Sequence, residues 1–439
     1  MRILIYSYNY HPEPIGIAPL MTELAEGLVK RGHQVRVITG MPNYPERQIH
    51  PEYQGKLYQT EQRNGVTIQR SYVWIRPQPS LLTRILLDGS FVATSVLQAL
   101  RGWRPDVILL TVPPLPVSIP ACLLGLLYNC PVVVNLQDIL PEAAVKLGIL
   151  RNKFVIWLFE QLERFTYRAC SAISVISDGF TDNLVRKGVS WRKIRCIPNW
   201  VDVNFIYPMG QRLENGINLQ HRPNSYRQRH HLENKFVVLY AGNIALTQGL
   251  ETVIRAARAF QDLPEIVFVI VGQANARRRL QRLCDEYGLA NVRLLDFEPR
   301  ERLPHMLAAA DLGLVVQKCQ VDSFNMPSKF QVLLASGCPV VASVPLDGVA
   351  AHAVTQSGGG VVVPPEDPTA LANTIRSLYS SHAKRRALSL QGRQYALQHY
   401  SLELALDRYE ALFGDLVARR SPNVVPDVSV RTKEVVSGR

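Results

Sequence analysis

The sequence predicts an α/β protein built from two doubly wound, parallel-sheet halves in tandem. Three observations predict it. Short apolar runs alternate with amphipathic helical stretches along most of the chain; a polar, irregular segment over residues 204–234 interrupts them; and the same pattern then restarts from a fresh apolar strand at Phe236. Alternating strand and helix signals mark strand–helix–strand crossovers, which bury a parallel sheet between layers of helices.

Residues 2–6 (Arg-Ile-Leu-Ile-Tyr) read as the first strand. A polar loop with Pro12, Pro14 and Gly16 leads into a helix over residues 19–31, with Leu20, Leu24, Ala25 and Leu28 on one face. Gly32-His33 ends it, and residues 34–39 form a second strand. Further strands are expected at 66–73, 106–111, 131–136, 171–176 and 194–198, with a helix at 153–168. The apolar stretch 107–134 has the length of a membrane span but carries Pro113, Pro114, Pro116, Pro120 and Pro131. A span needs about 20 apolar residues in continuous helix, so a strand, a proline turn, a short buried helix and another strand are expected instead.

The second half reads as strand 236–240, glycine loop 242–249, helix 250–260, strand 266–271, helix 276–287, strand 292–296 and helix 301–309. Strand 312–316, helix 328–336, strands 339–343 and 360–363, and helix 368–379 complete it. The domains are then 1–203 and 235–395, joined by a linker and surface loop at 204–234. A C-terminal helix at 396–420 is expected to pack back toward the first domain, ahead of an aperiodic, disordered tail at 421–439.

Hydrophobic residues make up 47% of the chain and charged residues 19%, enough to fill two cores and unlike a disordered composition. The net charge of +13 suits anionic partners: nucleic acid, an acidic membrane face or phosphorylated substrates. A merely solvated basic surface is the alternative. The seven cysteines are odd in number and include no C-x-x-C pair, so buried thiols in a reducing compartment are expected rather than a disulfide framework. No Cys and His residues pair at zinc spacing, and the apolar run after Met1 is too short for the core of a signal peptide.

Ligands of doubly wound sheets sit beyond the carboxyl ends of the strands, where helix N-termini offer free N–H groups. Gly16 lies in one such loop, and Gly242 and Gly249 in another, although a lone glycine after a strand is more often a plain turn than a ligand site. No G-x-G-x-x-G follows the first strand and no G-x-x-x-x-G-K-[ST] occurs, which speaks against a dinucleotide dehydrogenase and a P-loop NTPase. In Asn135-Leu136-Gln137-Asp138-Ile139-Leu140-Pro141-Glu142 a strand ends in Gln-Asp, placing Asp138 at the sheet edge, either facing a cleft or capping the next helix. Asn325-Met326-Pro327-Ser328-Lys329 precedes an apolar helix and then Gly337-Cys338-Pro339. Ser328 is a candidate cap there, and Lys329 either meets a diphosphate with the first-turn N–H groups or is a solvated lysine.

Taken with Tyr8-Asn9-Tyr10-His11-Pro12-Glu13, Gly32-His33-Gln34-Val35, Pro113-Pro114, Ile197-Pro198-Asn199-Trp200-Val201-Asp202, Tyr240-Ala241-Gly242-Asn243-Ile244, Gln248-Gly249-Leu250-Glu251 and Val271-Gly272, these motifs resemble a known family in order and spacing. It is that of the retaining glycosyltransferases of the GT-B fold, fourth sequence-based family, in its exopolysaccharide and colanic-acid branch. The resemblance spans nearly the whole chain. It implies two Rossmann-like domains facing a central cleft, the first holding the acceptor and the second a nucleotide sugar of unspecified base. It implies catalytic roles for Asp138, near the reacting sugar, and Lys329, and donor-binding roles for Gly16, Gly242, Asn243, Gln248, Gly272, Phe297, Met326, Pro327 and Ser328. No acceptor-binding residue is named. The implied acceptor is a saccharide or a polyprenyl-diphosphate-linked saccharide. No metal, cofactor or nucleic acid is expected.

The chain departs from the family in places. Gln137 stands where His is frequent, Asn243 at the position of a diphosphate-binding Arg, and Thr247-Gln248 in the region of a Lys. Phe324 and Val332 occupy the positions of two glutamates, which leaves Lys329 as the cation for the diphosphate. A non-catalytic nucleotide-sugar-binding protein and a sugar-nucleotide epimerase are the competing functions, the latter without its catalytic carboxylates and histidines.

A cytoplasmic location, peripheral at the inner membrane face, is expected. Residues 74–103 combine Trp74, Leu81, Leu82, Ile85, Leu86, Leu87, Phe91 and Trp103 with Arg76, Arg84, Arg101 and Arg104; residues 186–195 add Arg186, Lys187, Trp191, Arg192, Lys193 and Arg195. Aromatic and basic residues together suit an anionic lipid surface. An ordinary core helix face is the other reading of 81–100.

Overall fold

Two open sheets carry the fold of the computed structural model, which describes residues 1–208, 224–321 and 326–420 apart from positions 15, 45, 79, 147 and 149. The expected tail, and part of the expected linker, lie outside the described residues. The first sheet contains β1 (Arg2–Tyr6), β2 (Gln34–Gly40), β3 (Tyr58–Arg63), β4 (Val66–Ser71), β5 (Val107–Val112), β6 (Val132–Leu136), β7 (Ala172–Val175) and β8 (Ile194–Cys196). The second contains β9 (Phe236–Ala241), β10 (Ile266–Val271), β11 (Val292–Leu295), β12 (Leu312–Val316), β13 (Val340–Ser343) and β14 (Gly360–Val363).

Their orders are β3-β4-β2-β1-β5-β6-β7-β8 and β11-β10-β9-β12-β13-β14. Among the described strand pairs only β3–β4 is antiparallel. In each sheet the first strand lies between neighbours whose connections lead in opposite directions, which opens a crevice beyond the carboxyl ends of β1 and β9. The central strands are continuous apolar runs because helices cover both faces: every residue of β5 and β6 is buried. Buried clusters accordingly flank both faces of each sheet.

The strand β3 was not expected. Its sequence, Tyr-Gln-Thr-Glu-Gln-Arg, has no apolar run, because it is an edge strand half open to water. Its pairing is encoded by the turn: Asn64 and Gly65 have φ of 47° and 81°, the left-handed pair that a two-residue hairpin loop requires.

The helix His382–His399 stays against the second sheet, where the Arg393 guanidinium donates to the carbonyls of Val203, Ile206 and Ala335. It runs unbroken past residue 396, so the chain turns back only at Tyr400 and Ser401. There Val201 N–H donates to Tyr400 O at 2.8 Å, Leu402 N–H donates to Val201 O at 3.1 Å, and Val201 bridges Ser401 in parallel. The last helix, Leu402–Ala418, then lies on the first half. It buries Leu406, Tyr409 and Phe413 against Leu24, Ala25 and Trp200. Full burial of a side chain such as Phe413 contributes roughly 1.5–3 kcal/mol. A β-carbon on Gly27 would stand 2.7 Å from Leu406 Cδ1, so only glycine admits this helix so closely.

Candidate functional site

The floor of the crevice in the first half is a polar network beneath Asp138. The Gln137 side-chain amide donates to Asn199 Oδ1 at 3.1 Å and accepts from Asn199 Nδ2 at 2.9 Å; it also donates to Asn135 Oδ1 at 2.7 Å. Asn135 Nδ2 in turn donates to the Tyr409 hydroxyl at 2.6 Å. Gln137 therefore fills, with neutral amide contacts, the place where the resembled family often has a histidine. Asp138 does not cap the next helix, which starts only at Glu142. Its carboxylate is open to the crevice and has no hydrogen-bond partner among the described residues. Protein crowds around it all the same, and this desolvation raises its pKa to about 6 against the pull of Arg84. Asp88, on the helix Leu81–Ala99, is raised to about 6 in the same way, again opposed by Arg84.

The loop after β1 is tied down by a buried carboxylate. Glu13 accepts from Asn43 N–H at 3.0 Å, Tyr44 N–H at 3.1 Å and Asn9 Nδ2 at 2.6 Å. Gly16, at φ 74°, has no atom within 4 Å of where a β-carbon would be, so its backbone is open. Tyr44 reaches the other half, where Gln273 Nε2 donates to its hydroxyl at 2.8 Å.

In the second half the structure gathers Gly242, Asn243, Gln248 and Lys329 around Tyr240. Lys329 starts the helix Lys329–Ala335, and its ammonium donates to Tyr240 Oη at 2.8 Å and to Gln248 Oε1 at 2.9 Å. It lies 4.0 Å from the Tyr240 ring centroid, with no carboxylate at ion-pair distance among the described residues. The Tyr240 hydroxyl donates to Asn243 O at 2.7 Å. Part of the Lys329 side chain is open, but the protein packed around the ammonium strips it of water, and its pKa falls to about 7. A charge is thus delivered to Gln248, in the loop where the family keeps a lysine, from a different helix.

Gly242 has φ 148°, and a β-carbon there would sit 3.3 Å from Lys329 Cε. A β-carbon on Gly272 would lie 2.6 Å from the Ile244 side chain and 2.9 Å from Gly242 O. Gly272 is therefore packed into this cluster. Phe297 stands apart, exposed just past β11, whose Leu295 O accepts from Gly272 N–H at 3.0 Å. Pro327 is buried and Met326 packs against the core of the second sheet.

Ser328 is a correction. It has helical φ −59° and ψ −25°, and its side chain makes no capping bond, because a cap needs an extended backbone. Sequence reasoning also missed Tyr240, Tyr44 with Gln273, and Asp88. A tyrosine closing an otherwise aliphatic strand was the available signal for Tyr240; nothing local marks the others.

Two tandem Rossmann-like halves, each with a crevice beyond the carboxyl end of its first strand, have the architecture of a GT-B glycosyltransferase. Comparison with known proteins agrees. Residues 16–200 match the Glycosyl transferase 4-like domain and residues 222–395 the Glycosyl transferases group 1. The chain is 33% identical to the putative colanic acid biosynthesis glycosyl transferase WcaI of Escherichia coli K12, over 86% of this chain and 91% of that protein. It is 24% identical to the probable glycosyltransferase WbjE of Pseudomonas aeruginosa, over 73% and 74%. Among solved structures, sucrose-phosphate synthase of Thermosynechococcus elongatus has a TM-score of 0.69 at 19% identity, covering 95% of this chain and 100% of that one. Anabaena HepE in complex with UDP and glucose has 0.68 at 18% identity, with the same coverage. The chain belongs to the family-four, group 1 glycosyltransferases.

Proposed function

We propose that this glycosyltransferase moves a sugar, with retention of anomeric configuration, from a nucleoside-diphosphate sugar to a saccharide or polyprenyl-diphosphate-linked saccharide in exopolysaccharide or envelope-glycan synthesis. One observation carries the reading: among the described residues the Lys329 ammonium has only neutral partners, beside Gly242, an arrangement that suits an anionic ligand. Preorganised charge of this kind stabilises a departing diphosphate. In this reading Gln248 and Tyr240 aim the ammonium, Gly242 and Asn243 border the phosphates, Gly272 packs behind Gly242 and so shapes that border, and Gly16 approaches the phosphates from the opposite wall. Phe297 flanks the base, the segment Met326-Pro327-Ser328 borders the donor, and Asp138 stands at the reacting carbon. The name of the WcaI relative and the UDP and glucose held by HepE support the glycan setting and the donor class.

The test is a panel of nucleotide sugars with a mixture of lipid-linked acceptors, read by product mass and by the anomeric coupling of the product. Transfer from one donor with retained configuration is expected, and it should persist with a chelator present. Among the described residues no three His, Cys, Asp or Glu side chains gather as a metal site. Loss of transfer in chelator, restored by Mg²⁺ or Mn²⁺, overturns the metal-free reading. Donor binding without transfer identifies a binding protein, and donor conversion without acceptor an epimerase.

Peripheral attachment to an anionic membrane belongs to the same proposal. Among the described residues no helix is long and apolar enough to cross a membrane. Leu82, Ile85 and Leu86 are exposed on the helix Leu81–Ala99, and Trp191 is 70% exposed under Arg192. A stacked pair, Phe154 and Trp157, adds outward aromatic surface. Other expected anchors are structural. Phe91 is buried against Tyr6 and Tyr8, Trp103 supports the buried Arg36, Lys187 pairs with Glu163 at 2.7 Å, and Lys193 binds three carbonyls. Flotation with anionic vesicles is therefore expected to weaken with salt and with Trp191→Ser plus Arg192→Ser. A chain that never floats at low salt overturns the attachment.

A further inference from the structure

One ridge of the helix Leu81–Ala99 and its C-cap changes character along its length. Positions 84, 88, 92, 96 and 100 are four apart and so follow one another along the helix surface. Arg84 and Asp88 come first, at the end of the helix nearest the carboxyl edge of the sheet. Val92, Val96 and Leu100 follow and form one wall of a groove of about 330 Å³. Ile119, Leu123 and Leu127 of the neighbouring helix Ser118–Leu127 form the other wall and stay largely exposed. Both helices descend from the carboxyl edge, after β4 and β5, so the groove leads away from the crevice that holds Asp138.

The head of this track gathers three arginines beside Asp88. Arg84 acts electrostatically on both Asp88 and Asp138, and Arg47 Nε donates to the carbonyl of Arg76, in the loop that enters the same helix. Among the described residues none of these three arginines has a carboxylate at ion-pair distance. A polar anchor followed by hydrocarbon matches an amphiphile. The groove falls in the size range of small-molecule sites, roughly 300–1,000 Å³.

We propose that the groove between these helices seats the hydrocarbon chain of an amphiphilic acceptor whose phosphorylated head lies at Arg84, facing Asp138. The proposal rests on the lipid-linked acceptor reading above and assigns it an address. The probe is farnesyl diphosphate, plain and carrying a diazirine, added to the full chain with a saturating nucleoside diphosphate on the donor side. Farnesyl diphosphate is expected to bind at least tenfold more tightly than inorganic diphosphate, and the photolabel to fall within residues 92–100 and 119–127. Val96→Trp fills the groove; Leu123→Asn alters an exposed wall residue and spares the core. Each should erase the tenfold preference and leave inorganic diphosphate binding unchanged. Equal affinity for the two probes, a label elsewhere, or a preference that survives both variants overturns the proposal. Transfer to lipid-linked acceptors with an unlabelled groove overturns the groove alone. No transfer to any lipid-linked acceptor overturns the reading beneath it.

Discussion

Replacing Lys329 with Ala is expected to cut turnover of the nucleotide sugar at least tenfold while the chain stays folded. A charge-assisted bond to the diphosphate contributes roughly 1.5–3 kcal/mol, and about 1.4 kcal/mol is a factor of ten. The pH dependence makes the test specific. With its pKa lowered to about 7 by desolvation, the lysine of the free enzyme loses its proton as pH rises through neutrality. Each phosphate of a nucleotide sugar has a single, strongly acidic proton, so neither titrates there. Donor affinity should therefore fall about tenfold per unit above pH 7 in the parent and stay flat in Lys329→Ala. For stability the sign is opposite. The unfolded chain keeps this proton up to about 10.5, so the parent gains stability as pH climbs from about 7 toward 10.5. Lys329→Met lacks that dependence and should melt at or above the parent temperature at pH 7. Parent-like turnover in Lys329→Ala, or a pH-independent donor affinity in the parent, removes Lys329 from the diphosphate.

Asp138→Asn is expected to lower kcat by about a hundredfold, the scale of losing one preorganised electrostatic group, with donor affinity little changed. A carboxylate beside the anomeric carbon stabilises the positive charge of an oxocarbenium-like transition state, so the ionised form is the active one. Protein crowding raises this carboxyl to about 6, and activity should therefore be lost as pH falls through that value. Against Lys329, kcat/KM should trace a bell between about 6 and 7. The kcat profile, measured with donor bound, should keep the acid limb and lose the alkaline one, because the bound diphosphate holds the lysine proton. The Asn variant should have no acid limb. If it turns over at the parent rate, Asp138 is not at the reacting centre.

The parallel strands were legible because a buried strand is a largely apolar run: β5 and β6 are Val-Ile-Leu-Leu-Thr-Val and Val-Val-Val-Asn-Leu, each with one polar residue near its carboxyl end. β3 was not, since edge strands alternate polar residues and speak only through their turn. The helix His382–His399 has no apolar stripe and buries only Gly392 and Ala396, so periodicity is silent about it. At the site, Asp138 and Lys329 stand out by motif and position. What local pattern cannot show is that Lys329 meets Gln248, 81 residues away, or that Tyr409, 274 residues from Asn135, supports the floor beneath Asp138. Those meetings depend on how sheets and helices pack. Ser328 failed for a related reason: the backbone there is already helical, which removes the geometry a cap requires.

The doubled crossing at Val201 and Tyr400–Leu402 constrains how the cleft can open. One covalent thread between two bodies permits bending and twisting about several axes. Two threads stitched to each other by the Val201–Tyr400 and Leu402–Val201 hydrogen bonds act as the pin of a door. Rotation about that pin leaves both bonds intact, whereas shear or twist must break them. The swing is thereby narrowed toward a single coordinate, and opening along it must part the Tyr44–Gln273 hydrogen bond and the Glu23–Arg300 ion pair.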